Sequence, residues 1–119
     1  LTDPNNILSK RSVYFDNDNY DPKAEYKDLV AAHAKFLTNN RTFKMLVPGN
    51  TDDRGSREYN LALGQKRADS VKKMLTLLGA SEDQVEAVSL GEEKPKNEGT
   101  DEAAWAENRR GDMLYSGEF

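Results

Sequence analysis

The sequence predicts an α/β domain in which helices cover one face of a small four-stranded sheet. Short β-prone runs alternate with longer segments whose apolar residues recur every three or four positions. Clusters of Asp, Asn, Gly and Pro separate these segments. No stretch repeats another, and 119 residues suffice for one core without metals or crosslinks.

Residues 1–11 form a polar lead-in segment with Pro4, Asn5 and Asn6, and the domain is expected over 12–119. Ser12-Val13-Tyr14-Phe15 reads as the first strand and runs into the turn-rich stretch from Asp16 to Pro22. From Lys23 to Thr38, Tyr26, Leu29, Val30, His33, Phe36 and Leu37 mark one face of an amphipathic helix. The second strand spans Phe43 to Val47 and is expected to stop at Pro48-Gly49. Ser56 caps a long helix with Glu58 in its first turn and Gly79 as its stop. Its expected apolar stripe is Leu61, Gly64, Ala68, Val71, Leu75 and Leu78. A helical turn from Ser81 to Gln84, a third strand from Val85 to Leu90 and a loop around Pro95 follow. Thr100 is expected to cap a short helix ending near Asn108, and Met113-Leu114-Tyr115 to form the fourth strand.

The charge balance narrows the function. A net charge of −4 without a long basic tract argues against nucleic acid as a partner. No cysteine is present, which removes thiolate catalysis and thiolate metal sites. The single histidine, His33, lies on an apolar stripe and reads as a packed helix residue. With no nucleophile–base constellation, an enzyme and a cofactor are not expected. The run Asp16 to Asp21 resembles the start of a calcium loop. Asp21 and Lys27 stand where such a loop needs Gly and Glu, so no metal is expected. Arg110-Gly111-Asp112 spells an integrin-binding tripeptide but opens a predicted strand. Trp105 reads as an anchor for the short helix.

The stretch from Gly49 to Ala68, containing Asn50-Thr51-Asp52-Asp53-Arg54-Gly55, resembles the signature of the OmpA C-terminal-like peptidoglycan-binding family. Val13-Tyr14-Phe15-Asp16, Gly91-Glu92-Glu93-Lys94-Pro95, Asp101-Glu102-Ala103-Ala104-Trp105 and Asn108-Arg109-Arg110 resemble the family in the same order, over roughly residues 12–115. The resemblance implies a two-layer sandwich with a mixed sheet. It implies non-catalytic binding of the peptidoglycan stem peptide, chiefly its diaminopimelate residue. It further implies a lipoprotein on the periplasmic side of the Gram-negative outer membrane, anchored by an N-terminal acylated cysteine that is not among these residues, with a Tol-system protein as partner. A second reading keeps the fold as a protein-interaction scaffold with weak or lost wall binding.

Diaminopimelate carries an ammonium and a carboxylate on one carbon, and a receptor for that head needs an anion and a cation close together. Arg can grip a carboxylate with two hydrogen bonds, and Asp can accept from the ammonium. Asp52 and Arg67, fifteen residues apart, match the family's diaminopimelate-binding positions. Arg67 shares a helix face with Asn60 that is offset from the expected apolar stripe. Asn50 offers its amide to a peptide backbone or serves as a turn residue. Asp18 falls where the family lines the same groove. Leu63 offers an apolar floor or a core contact, and Gly55 supplies an unusual backbone angle. Three positions depart from the resemblance: Asn17 replaces an aromatic groove residue, Pro48 an acidic residue, and Gly111 a small residue such as Ala.

Overall fold

In the computed structural model, which describes residues 5–116 and 118, strand and helix alternate as expected, with one strand more. Residues 1–4 of the lead-in segment, and Gly117 and Phe119 at the end of the expected domain, lie outside the described residues. The elements are β1 (Ser12–Tyr14), α1 (Lys27–Asn39), β2 (Met45–Asn50), α2 (Arg57–Leu77), β3 (Val85–Gly91), α3 (Glu102–Asn108), β4 (Arg110–Asp112) and β5 (Leu114–Tyr115). Short 3₁₀ turns at Ile7–Ser9, Ala24–Tyr26 and Glu82–Gln84 precede β1, α1 and β3.

The sheet is mixed and ordered β1-β4-β2-β3, with β5 also against β2. Among the described residues only β2 and β3 run parallel. Five strands replace the expected four because the last strand starts earlier and is broken. Gly49 pairs with Gly111 and Met45 with Tyr115 in one continuous register, so β4 and β5 lie on a single line along β2. The gap falls opposite Val47 and Pro48. Proline has no N–H to give the ladder, and pairing lapses there. On the other side, the N–H of Met113 bonds to the Arg11 carbonyl at 2.8 Å. Pro48 therefore does not end β2, as the sequence suggested; it sits within the strand, paired in register with Val88.

Serine at position 56 starts α2, its hydroxyl accepting from the Tyr59 N–H, and Gly79 ends the segment at φ 117°. The buried face of α2 differs from the expected stripe. Leu61 and Leu78 are exposed, while Asn60, Leu63 and Arg67 join Gly64, Ala68, Val71 and Leu75 inside. The face thus changes chemistry along its length. Its second half enters the core with Val30, Ala34 and Leu37 of α1 and Met45 and Val47 of β2. Its first half lies over the end of the sheet and is polar.

Asp101 rather than Thr100 caps α3, accepting from the Ala104 N–H. His33 is fully buried, its ring nitrogens 2.6 Å from the Tyr115 hydroxyl and 2.8 Å from the Lys10 carbonyl. A carbonyl can only accept, so Nε2 carries the proton and Nδ1 accepts from Tyr115. This bond ties the lead-in segment to the core. None of the helices among the described residues is long and apolar enough to cross a membrane.

Candidate functional site

A close contact places the site. A β-carbon on Gly49 would stand 1.8 Å from the Gly64 carbonyl oxygen, so α2 rests directly on β2 there. One turn on either side of Gly64, Asn60 and Arg67 are carried over the carboxyl end of β2. Asn17, Asp18, Thr51, Asp52, Arg54, Gly55, Tyr59, Asn60, Leu63 and Arg67 enclose a cleft of ≈ 230 Å³. Four sequence-predicted residues, Asp18, Asp52, Leu63 and Arg67, line it together.

Arg67 forms the floor. Its face is offset from the expected apolar stripe, yet it is wholly buried. Its Nε donates to the Asn19 carbonyl at 2.9 Å, Nη1 to that of Asn50 at 3.0 Å and Nη2 to that of Asp16 at 3.1 Å. Its guanidinium carbon lies 5.3 Å from the Phe15 ring centre. Three carbonyls from two chain segments thus converge on one side chain, which explains why a cation can be buried here. A guanidinium has five N–H groups, so one remains on each terminal nitrogen. Burial lowers its pKa to about 10, against the raising effect of Asp52, and it stays a cation at neutral pH.

Asp52 does not pair directly with Arg67. Its Oδ1 accepts from the Arg54 backbone N–H at 3.0 Å and from Nε at 3.2 Å, and its Oδ2 accepts from Nη2 at 2.7 Å. Arg109 Nη1 stands 3.6 Å from the same Oδ2. Burial pushes the Asp52 carboxyl up. The Arg54 hydrogen bonds and the charges of Arg54 and Arg109 outweigh it and hold the group below the usual carboxylate range.

Arg54 is held from below by Trp105, whose ring centre is 4.2 Å from the guanidinium carbon, and from the side by the Asn17 Oδ1 at 3.0 Å. Trp105 is therefore a platform for Arg54 rather than a core anchor, and it lies outside the core cluster. Asn17, where the resemblance implied an aromatic, lines the cleft and accepts this hydrogen bond from Arg54. Arg109 is buried, donates from Nε to the Phe15 carbonyl at 3.0 Å, and pairs with Glu102 at 2.8 Å.

The rim closes where the Tyr59 hydroxyl donates to Asp18 Oδ1 at 3.1 Å. Asp18 takes a left-handed backbone, φ 55°, which Asp tolerates better than most residues. Gly55 adopts φ 89°, as its expected role required. Asn50 does not line the cleft; its carbonyl holds Arg67 while its amide donates to the Pro48 carbonyl at 3.2 Å. It supports the floor from beneath.

The oxygens of the run Asp16 to Asp21 are taken up by separate partners. The Asp16 carboxylate meets Lys23 at 3.0 Å, while the Asp16 and Asn19 carbonyls face Arg67. Among the described residues no group of three or more His, Asp or Glu could hold a metal ion.

Sequence reasoning gave no role to Arg54, Tyr59 or Arg109. Arg54 sits two residues after Asp52, the spacing of an Asx turn, and that signal was available. The approach of Arg109 and Trp105 to Asp52 joins residues some fifty positions apart and leaves no local trace.

The profile of the OmpA family matches residues 14–109. The chain is 50% identical over 104 residues to the peptidoglycan-associated lipoprotein of Pasteurella multocida (strain Pm70), covering 87% of this chain and 69% of that protein. It is 49% identical to the protein of the same name from Haemophilus influenzae, again over 104 residues, covering 87% of this chain and 68% of that protein. The crystal structure of the peptidoglycan-associated lipoprotein from Burkholderia pseudomallei superposes with a TM-score of 0.93 at 55% identity, covering 95% of this chain and 96% of that one. The C-terminal domain of Helicobacter pylori MotB shares the fold, with a TM-score of 0.81 at 21% identity over 88% of this chain and 83% of that one. The chain belongs to the OmpA family.

Proposed function

We propose that this chain binds the peptide stem of peptidoglycan without catalysis, seating the diaminopimelate residue in the cleft. The observation that carries the reading is the charge layout. A buried guanidinium, Arg67, floors a cleft whose wall is the carboxylate of Asp52 and whose rim is that of Asp18. A head with an ammonium and a carboxylate on one carbon matches that layout. Its carboxylate meets the remaining Arg67 N–H groups, with Arg54 and Arg109 adding positive potential. Its ammonium meets Asp52 or Asp18. Leu63 gives the aliphatic chain an apolar contact, and Asn50 acts through its carbonyl on Arg67. Three of the relatives are named peptidoglycan-associated lipoproteins, which supports peptidoglycan as the ligand.

In this reading residues 12–119 are the wall-binding domain and 1–11 lead in from an N-terminal lipid anchor. The protein stands on the periplasmic side of the outer membrane and tethers it to the wall within a Tol–Pal-type system. A protein-interaction scaffold with a Tol-type partner as main ligand is the second reading. It is favoured by one feature: Arg54 already donates to both oxygens of Asp52, so an incoming ammonium must compete.

Co-sedimentation with purified sacculi separates the two. Saturable binding that free diaminopimelate-containing stem peptide displaces supports the wall reading. Absence of sedimentation, or sedimentation that the peptide leaves unchanged, supports the scaffold.

A further inference from the structure

Among the described residues strand β1 is an edge of the sheet, paired only with β4. Its hydrogen-bond parity is fixed by two bonds toward the β4 side: the Arg11 carbonyl accepts from Met113, and the Phe15 N–H donates to Arg109. Backbone groups alternate along a strand, so those of Ser12 and Tyr14 point the other way, to the open edge, where the Tyr14 N–H donates to the Tyr26 hydroxyl. Beside that edge lies a groove of ≈ 340 Å³, lined by Lys10, Arg11, Ser12, Tyr14, Tyr26, Leu29 and Lys96. It shares no residue with the Asp52–Arg67 cleft.

The lining is unlike the rest of the chain. Three of its seven residues are cationic and none is acidic, on a protein of net charge −4; Arg11 is paired with Glu118 at 2.8 Å, so the charge the groove presents comes from Lys10 and Lys96. The Lys96 ammonium bonds the Tyr14 hydroxyl at 2.9 Å, and Lys10 is exposed, so both lysines stand at the mouth. Tyr26 and Leu29, from the start of the helical layer, give the groove an apolar wall. A sheet edge with no neighbouring strand among the described residues, an apolar wall on the helix side and ammonium groups at the mouth together fit one occupant.

We propose that this groove takes an extended acidic segment of a partner protein as an added strand. The partner's main chain pairs with the outward N–H and C=O groups of Ser12 and with the C=O of Tyr14, beside the Tyr26 hydroxyl that holds the Tyr14 N–H. Apolar side chains at alternate positions rest on Tyr26 and Leu29, and carboxylates on the other face meet Lys10 and Lys96.

The test is an amide NMR titration of the full chain with an acetylated, amidated eight-residue peptide of alternating glutamate and valine. A control peptide carries lysine for glutamate. The expected result is saturable binding of the acidic peptide alone, with the largest shifts at the amides of Ser12 and of Phe15, whose nitrogen shares a peptide group with the Tyr14 carbonyl. The double variant Lys10→Glu, Lys96→Glu is expected to weaken binding at least tenfold while its spectrum elsewhere is unchanged. Prior saturation of the cleft with stem peptide is expected to leave the affinity within twofold. Four outcomes overturn the proposal: no binding at millimolar peptide; equal binding of the lysine control; unchanged affinity after charge reversal; or shifts centred on Asp52 and Arg67. Loss of anionic-vesicle binding on charge reversal, with no peptide binding, would assign the patch to lipid instead.

Discussion

Gly49 and Gly64 meet backbone to backbone, so that neither position has room for a methyl group. This contact sets the distance between α2 and β2 and so decides how Arg67 reaches the carbonyl of Asn50. The cleft exists because a strand and a helix touch without side chains between them.

Alanine at position 49 is expected to cost about 3 kcal/mol or more, since its β-carbon meets a main-chain oxygen that cannot move alone. Gly64→Ala is expected to cost less, about 1–3 kcal/mol. One of its close neighbours is the Ser89 hydroxyl, at 2.4 Å, which can rotate, though the Gly49 carbonyl is also near at 2.8 Å. Urea unfolding of both variants measures the order; equal or reversed costs would contradict it.

Replacing Arg67 with Met leaves the carbonyls of Asp16, Asn19 and Asn50 without their donor. Hydrogen bonds from charged groups are worth about 1.5–3 kcal/mol each, although water can reach the loop carbonyls. A net loss of about 3 kcal/mol is expected, read from the denaturant midpoint. A variant as stable as the parent would mean that the arginine does not organise the loop.

How much of this was legible beforehand depends on the range of the interaction. The alternation of elements, the Ser56 cap and the Gly79 stop follow from local chemistry and stood in the sequence. The face of α2 did not. A stripe chosen by hydropathy includes Leu61 and Leu78 and omits Arg67, because burial of a cation depends on carbonyls brought from residues 16, 19 and 50. Pro48 misled for a similar reason: it reads as a strand stop, and only the register shows the missing donor falling in a gap between β4 and β5. The residues that line the cleft with Asp52 and Arg67 came partly from the resemblance. The Arg54–Trp105 stack came from neither source.

Removing Arg54 should raise the Asp52 pKa. Burial acts upward, and the Arg54 hydrogen bonds and charge are the main opposing force. In the parent the depressed folded value means that Asp52 contributes stability present above the ordinary carboxylate range, about 3.9. That contribution is lost as pH falls through the folded value. Carbon-detected NMR titration should place the Asp52 carboxyl of Arg54→Ala above that of the parent. Urea melts should show a smaller stability loss on acidification, and an unmoved pKa would contradict the assignment.

His33 gives a second pH signature at milder acidity. Burial is the first cause of its lowered pKa, with Arg11 acting the same way against the raising effects of the Lys10 carbonyl and Glu118. The unfolded chain then binds the proton more readily, with its ordinary value near about 6.5. Stability contributed by the neutral ring is complete above that value and declines as pH falls toward the folded one. Unfolding midpoints between neutral pH and pH 5 should show the decline, and His33→Gln should flatten it.

The central claim is that the charges around Arg67 bind a dipolar amino-acid head, and calorimetric titration with a diaminopimelate-containing stem tripeptide tests it most directly. The parent is predicted to bind saturably, and Asp52→Asn, which keeps shape but removes charge, to lose about 2–5 kcal/mol of binding. A folded Asp52→Asn protein with the parent's affinity would contradict the account.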